Sequence, residues 1–513
     1  HADHHALWIN PNNPMHIING NDGGINISYD GGSNYYKSNS PTVGQFYAIN
    51  VDQSDDYNVY GGLQDNGVWM GSHNYRPGVS WHQSGHYPYK SIMGGDGMQI
   101  EIDTRDNKTV YTGFQFGNYF RINTNTNERQ YITPKHDLGE RPYRWNWQAP
   151  IMLSPHNQDI FYMGSNKLHR SFNQGDDFEA ISDDLTTGGK KGDVAYSTLT
   201  SIHESPLQFG LLYVGSDDGL VHVTKDNGNN WTKITTGLPK DMWVTKVQAS
   251  SFKKERVYLS MNGYRWDDFN SYLYRSDDYG ATWEKIGTDL PPEPINVVEE
   301  DPHKEHIVYV GTDHGLYVSF NKGDSFMRME GGLPAVPVHD LVVHPREHDL
   351  VVGTHGRSFY VANVNELQAM DESMFEKVIH IFSMKPVYWS SRWGSSWSKW
   401  RDASEPKVEI PIYLKSDGDV KIRIKTKEGQ LLQSMTHKGT KGINYVEYDL
   451  SLTESAVKKY EKSLNEKLKK DEDPIEVEKK DTGKYYLYKG KYELEVAKDG
   501  TTETGSLVVK ERG

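Results

Sequence analysis

Two aspartates stand in unusual glycine turns, Asp65 in Gln64-Asp65-Asn66-Gly67 and Asp96 in Gly94-Gly95-Asp96-Gly97. Carboxylates held on tight loops about 5 to 10 Å apart are the groups that act as acid and base or nucleophile across a glycosidic bond. More candidates occupy similar turns: Asp22 in Asn-Asp-Gly-Gly, the pair Asp217 and Asp218, Asp313 with His314, and His355 with Arg357 in Thr-His-Gly-Arg. Tight hairpins also demand Asp and Gly, so turn formation is the competing role for each. At the amino end His1, Asp3 and His5 alternate, and a strand would put all three on one side, where imidazole and carboxylate could share a divalent ion. No cofactor is otherwise required. The loops Tyr143-Arg144-Trp145-Asn146-Trp147 and Tyr264-Arg265-Trp266-Asp267-Asp268 combine flat rings with charged, directional groups. Such loops suit a sugar or a peptide, and aromatic plugs between sheets are the alternative.

The elements that must position these residues are strands. The chain of 513 residues holds 13 Trp, 33 Tyr and 15 Phe with 48 Gly, the composition of many short strands joined by polar turns. A pattern recurs at roughly 40-residue spacing, the period of propeller blades. Its clearest part is an eight-residue turn: Ser276 to Trp283 (SDDYGATW), Thr224 to Trp231 (TKDNGNNW), and the more worn Ser28 to Tyr35, Ser171 to Phe178 and Ser319 to Phe326. Asp30, Asn173, Asp226, Asp278 and Asn321 hold the key position. We read them as structural, because such a side chain locks its own turn while Gly takes a backbone conformation other residues resist.

The expected fold is all-β: a seven-bladed Asp-box β-propeller over residues 1–363, then an Ig-like β-sandwich. The blades fall at 4–38, 45–84, 92–133, 149–183, 198–236, 243–288 and 295–330. A three-stranded set at 338–363 is either completed by an N-terminal strand or belongs to a second propeller. Residues 364–406 read as a linker and a Trp-rich segment with Trp389, Trp393, Trp397 and Trp400, fit to pack between domains or to bind polysaccharide. Residues 407–513 alternate as a sandwich, with a helical insertion at 453–470 capped by Ser451 or Thr453. In a four-stranded blade the loops from second to third strand, and from the outer strand to the next blade, share one face. That face, the propeller mouth, collects Asp22, Asp65, Asp96, Asp217, Asp218, Asp313, His314, His355, Arg357 and both aromatic loops.

Exclusions follow from charge and composition. A formal charge of -14 disfavours nucleic acid or an anionic membrane, which need a positive surface. With no cysteine there is no disulfide, thiolate zinc site or Cys nucleophile. No apolar window reaches the ~18 residues of a membrane-spanning helix.

The segments HADHHALWINPNNPMHIINGNDGG, VYGGLQDNG, GGDG, GSDDGLVHVTKDNGNNW, PVHDLVVHP and GTHGRSFYV resemble the sortilin/VPS10-like Asp-box (BNR) propeller proteins, a bacterial group often labelled glycosyl hydrolases. The resemblance covers about residues 1–363 and implies a double propeller with a C-terminal FlgD-like Ig domain. It implies that the chain is the later part of a longer exported protein, with an N-terminal propeller as a partner within the same polypeptide and an extracellular, cell-surface or periplasmic setting. Binding of a peptide, protein or glycan at the mouth is the expected role, and glycoside hydrolysis by Asp65 and Asp96 is the alternative. The Arg triad and the Tyr nucleophile of sialidases are not evident.

Overall fold

The computed structural model describes residues 3–38, 43–75, 89–189, 196–398, 400–469 and 472–511. His1 of the amino-terminal group lies outside these. The chain divides into two compact units, His1–Val364 and Asn365–Gly513.

The first unit is a ring of seven antiparallel sheets. Their innermost strands are Phe46–Val51, Glu101–Ile102, Ile151–Leu153, Leu199–Glu204, Trp243–Ala249, Ile295–Glu300 and Val338–Val343, and each neighbours the next until the last returns to the first. Six sheets have four strands and the seventh, ending at Phe359–Asn363, has three. Second strands such as Leu212–Ser216 and Val308–Thr312 are buried on both faces, hence their continuous apolar character. Their glycines let the next blade come close. A Cβ on Gly215 would stand 2.2 Å from Val244 and one on Gly311 2.6 Å from Val338, and at the closure one on Gly353 would stand 2.9 Å from Ile49.

The count of seven agrees with expectation, but the membership does not. The set at 338–363 closes this ring instead of belonging to another, and the sheet formed by residues 4–38 lies outside it. That sheet has four strands and its own Asp box, yet its first strand, His4–Ile9, is exposed throughout. Leu7, Trp8 and Ile9 are 65%, 47% and 49% exposed, where ring blades bury the equivalent strand.

Polar side chains stitch the inner strands together. Gln99 accepts the Ile151 amide at 2.9 Å, Ser201 that of Val247 at 3.0 Å, Gln248 that of Glu300 at 2.7 Å, and Asp340 that of Ile49 at 3.0 Å. Each of these side chains thereby satisfies a backbone donor of the neighbouring blade.

The second unit is a β-sandwich. One sheet orders Ile379–Ile381, Val408–Leu414 and Gly442–Tyr448; the other orders Val387–Tyr388, Thr501–Lys510, Gly490–Lys498, Gly418–Lys425 and Leu431–Gly439. Residues 364–406 are therefore more than a linker: they give a strand to each sheet, and Trp393 enters the sandwich core. Trp389 packs on Tyr488, while Trp397 and Trp400 are 89% and 95% exposed. The helical insertion is shorter than expected, Glu454–Asn465. Thr453 stands at its N-cap without a side-chain cap bond, its hydroxyl donating instead to Leu432 O.

Candidate functional site

The Asp boxes set the face opposite the mouth. In all five, the Ser or Thr hydroxyl donates to the Asp or Asn oxygen, at 2.8 Å for Ser28 to Asp30 and Ser171 to Asn173, 2.9 Å for Thr224 to Asp226, 2.7 Å for Ser276 to Asp278 and 2.9 Å for Ser319 to Asn321. The same oxygen accepts the amide four residues on, as in Thr282 to Asp278 at 2.9 Å. These side chains are saturated by their own turns.

At the mouth, Asp65 and Asp96 come together. Asp96 is 7% exposed, and its Oδ1 accepts the Asp65 amide at 2.8 Å. Asp65 sits at φ 58° in its turn. Burial raises the Asp65 carboxyl above its usual value, and the charges of Asp96 and Asp22, a hydrogen bond shared with Asp96 and the charge of Asp3 push it the same way. Beside them is Tyr47, on the first blade's inner strand. Burial pushes its phenol up to about 12; a Trp147 hydrogen bond opposes, and Asp96, Asp65 and Tyr264 add to the rise. The Tyr47 ring lies 5.8 Å from that of His355, which stacks on His339 at 4.5 Å. Burial, then His355 and Arg265, hold His339 at about 3, so this imidazole is neutral at physiological pH.

The aromatic loops divide in their roles. Tyr143 and Trp145 pack against His169, at 4.5 and 5.7 Å, as plugs over the third blade. The Arg144 guanidinium is engaged by Asp184 at 2.7 Å, Thr186 at 2.9 Å and Ser197 O at 3.1 Å. Trp147 is 39% exposed and meets Phe116 edge to face at 5.1 Å. Arg265 stacks on Trp243 at 4.0 Å and on Tyr264 at 4.5 Å. Loss of water there holds its guanidinium below the usual value, although the residue keeps an exposed surface. Tyr264 and Trp266 are 42% and 51% exposed.

Other predicted residues are structural or peripheral. Asp217 is buried and accepts the Thr198 amide and hydroxyl at 2.9 and 2.5 Å; burial pushes it up to about 6. Asp218 is likewise buried and bonded to Ser216 and Thr187. Asp313 accepts from Asn296, exposed His314 lies 3.6 Å from Glu293, and Arg357 is exposed.

The amino-terminal group differs from expectation. His5 donates to Asp22 at 3.1 Å, and Asp3 clusters with Asp22 and Asp65, carboxylate oxygens from all three lying within 4.8 Å of one another. Asp22 and Asp65 also line a cleft of about 620 Å³ between the outlying sheet and the ring, with Lys37, Phe46, Trp69 and Phe359.

Sequence reasoning missed Tyr47 and His339, both at the starts of inner strands, because neither stands in a turn motif or a ligand spacing. It also missed the axial channel, where Lys246 lies 3.9 Å from Asp340 and feels Glu299 and Glu101. Burial pushes both glutamates up to about 8 against the pull of Lys246. Burial also works against the charge of Lys246, but the three acids outweigh it and its pKa is raised.

Among known proteins, the Sortilin-Vps10 family model (sortilin, neurotensin receptor 3) matches residues 271–468. A xyloglucanase of Hypocrea jecorina is 28% identical over 141 residues, 24% of this chain and 17% of that enzyme. A probable oligoxyloglucan-reducing end-specific xyloglucanase of Neosartorya fischeri is 30% identical over 127 residues, 24% of this chain and 15% of that enzyme. The matches thus span under a fifth of either relative. The GH74 xyloglucanase of Xanthomonas campestris aligns with a TM-score of 0.46 and 14% identity over 63% of this chain and 52% of its own. The resemblance to sortilin/VPS10-like Asp-box propellers is borne out. Among the described residues no helix is long and apolar enough to cross a membrane.

Proposed function

We propose that this Asp-box propeller protein is exported and binds a glycan chain across its mouth. The observation that carries the reading is the open aromatic rim of Phe116, Trp147, Tyr264 and Trp266 around Tyr47, Asp65, Asp96 and His355. Exposed ring faces stack on sugar rings, and the acids between them accept hydroxyl hydrogen bonds. The xyloglucanase relatives, which by name act on a glycan, support this choice over a peptide. The uncovered inner strand of the outlying sheet supports a further proposal, that more blades of the same kind pack on it.

Glycoside hydrolysis is the second reading, favoured by the raised Asp65 carboxyl. Against it, Asp65 and Asp96 are close enough to share a hydrogen bond, whereas an acid and its partner across a glycosidic bond stand about 5 to 10 Å apart. Asp96 is also engaged by the Asp65 amide.

The test is titration calorimetry against xyloglucan and other neutral and acidic glycans, with reducing-end release followed in parallel. Binding without release, weakened at least ~5-fold in Trp147→Ala or Tyr264→Ala, is the expected result, since truncating a stacking ring costs about 1 to 3 kcal/mol. Release that disappears in Asp65→Ala/Asp96→Ala would replace binding by hydrolysis. Absence of binding to every glycan would refute both.

A further inference from the structure

We propose that the propeller ring has an acid-opened seam: protonation of His344 releases the seventh blade from the first, and the ring parts there before it parts elsewhere. Six of the seven junctions are crossed by the polypeptide, whereas residues 46–93 and 338–363 meet without any chain running between them. The seventh blade has three strands, so no outer strand ties it to the opposite end of the ring. Parting at this junction stretches no linker, and the joint depends on packing, on side-chain bonds and on the backbone bonds from Gly356 and Ser358 to Gly44 O at 2.8 and 3.1 Å.

Apart from the Asp340 bond to the Ile49 amide, the side-chain bonds cluster at one side of the joint. Tyr57 OH donates to Asp349 at 2.9 Å, and Arg346 donates to Gln53 O at 3.1 Å and to Ser54 O at 2.6 Å. His344 is fully buried among them. Its Nε2 donates to Asp52 O of the first blade at 3.1 Å, while Nδ1 accepts the amides of Arg346 and Glu347 at 3.2 and 3.1 Å. This network assigns the tautomer, and only the neutral ring satisfies it. A proton on Nδ1 would face two N–H donors, and both of those bonds would be lost; they hold the turn of the seventh blade that presents Arg346 and Asp349 to the first, whereas the Nε2 bond to Asp52 O would remain.

The surroundings set when that happens. The imidazole lies 4.2 Å from the ring of Tyr57, which also stacks on His73 at 3.9 Å. The Asp52 carboxylate is engaged by Ser54, Asn58 and Tyr60. Burial holds His344 below its ordinary value; its bond to Asp52 O and the charges of Glu347 and Asp349 resist this, and Arg346 reinforces it. His203, by contrast, has burial and Lys246 both against its charge and is held at about 3. A depressed folded value means that the joint keeps its full stability above the unfolded value of ~6.5 and loses it as pH falls below that.

The test is amide hydrogen exchange on the full chain, corrected for intrinsic rates, in the parent and in His344→Asn. The Asn oxygen can replace Nδ1 as acceptor and does not titrate. In the parent, protection of residues 46–63 and 338–354 should fall together by at least ~3-fold between about pH 7 and about pH 5, while 199–216 of the fourth blade holds. His344→Asn should lack that fall. Simultaneous loss in the fourth blade, or an unchanged pH response in His344→Asn, would overturn the proposal. Should that variant fail to fold, Gln45→Cys/His355→Cys places a disulfide at the bridge between these two residues in a chain without other cysteines. The oxidised form should resist acid opening and the reduced form should not; opening of the oxidised form would equally overturn it.

Discussion

Gly280, in the Asp box of the fifth blade, has φ +84°, and a Cβ there would stand 2.4 Å from Ile234 Cδ1 and 3.2 Å from Ile234 Cβ and Cγ1. Ile234 follows the outer strand of the fourth blade, so this contact crosses a junction. Gly280→Ala should therefore cost two separable amounts, about 1 to 2 kcal/mol for the left-handed backbone and about 1 to 3 kcal/mol for overpacking. Ile234→Val removes the atom struck first, at its own cost of about 0.5 to 1.5 kcal/mol. The double variant should then be more stable than the sum of the singles by about 1 kcal/mol or more, because most of the clash is gone while the backbone strain remains. Urea unfolding followed by tryptophan fluorescence measures all three; Trp283 reports on the joint, since its indole donates to Ile234 O at 2.6 Å. Strict additivity, within about 0.5 kcal/mol, would refute interblade packing as the reason for glycine. The contact repeats at Gly175 with Ile132, Gly228 with Ile181 and Gly323 with Ile286, whereas the atoms nearest to Gly32 in the outlying sheet belong to its own Tyr35.

His169 is 1% exposed and held at about 4 by burial, so stability should fall by up to ~1.4 kcal/mol per pH unit as pH drops from ~6.5 toward that value. His169→Gln, which retains a partner for Ser165, should flatten the acid limb of a stability–pH curve by about that slope. Lys246→Met leaves the axial acids without their cation and should cost about 3 kcal/mol in urea unfolding, relieved in part by Asp340→Asn, which can still accept the Ile49 amide. Trp8→Ala, in the exposed strand outside the ring, should leave the ring's unfolding midpoint within about 0.5 kcal/mol of the parent.

What was legible in the sequence was local. Each Asp box closes on itself through bonds spanning two to four residues, so its residue types alone disclosed it, and the blade period followed. Ring membership was not legible, because the decisive contacts, Gly353 against Ile49 and Asp340 to the Ile49 amide, join distant ends of the chain. The outlying sheet carries the same box as its fellows, and the exposure of Leu7, Trp8 and Ile9 sets it apart. Asp65 and Asp96 were drawn from their turns, and the structure brings them together. Arg144 and Asp217 were drawn by the same logic, yet they bond residues of other turns, a use that residue type cannot disclose. Tyr47, His339 and the axial charges escaped for a different reason. They lie within inner strands, where a polar residue reads as a flaw in an apolar pattern. In a propeller it is instead the outward sign of a channel, since the innermost strand faces apolar packing on one side and an axial space on the other. Lys246 in Trp-Val-Thr-Lys-Val-Gln-Ala and Asp340 in Val-His-Asp-Leu-Val-Val carry that signature. The residues that look least suited to their strands are thus the ones that mark the axis on which the mouth opens.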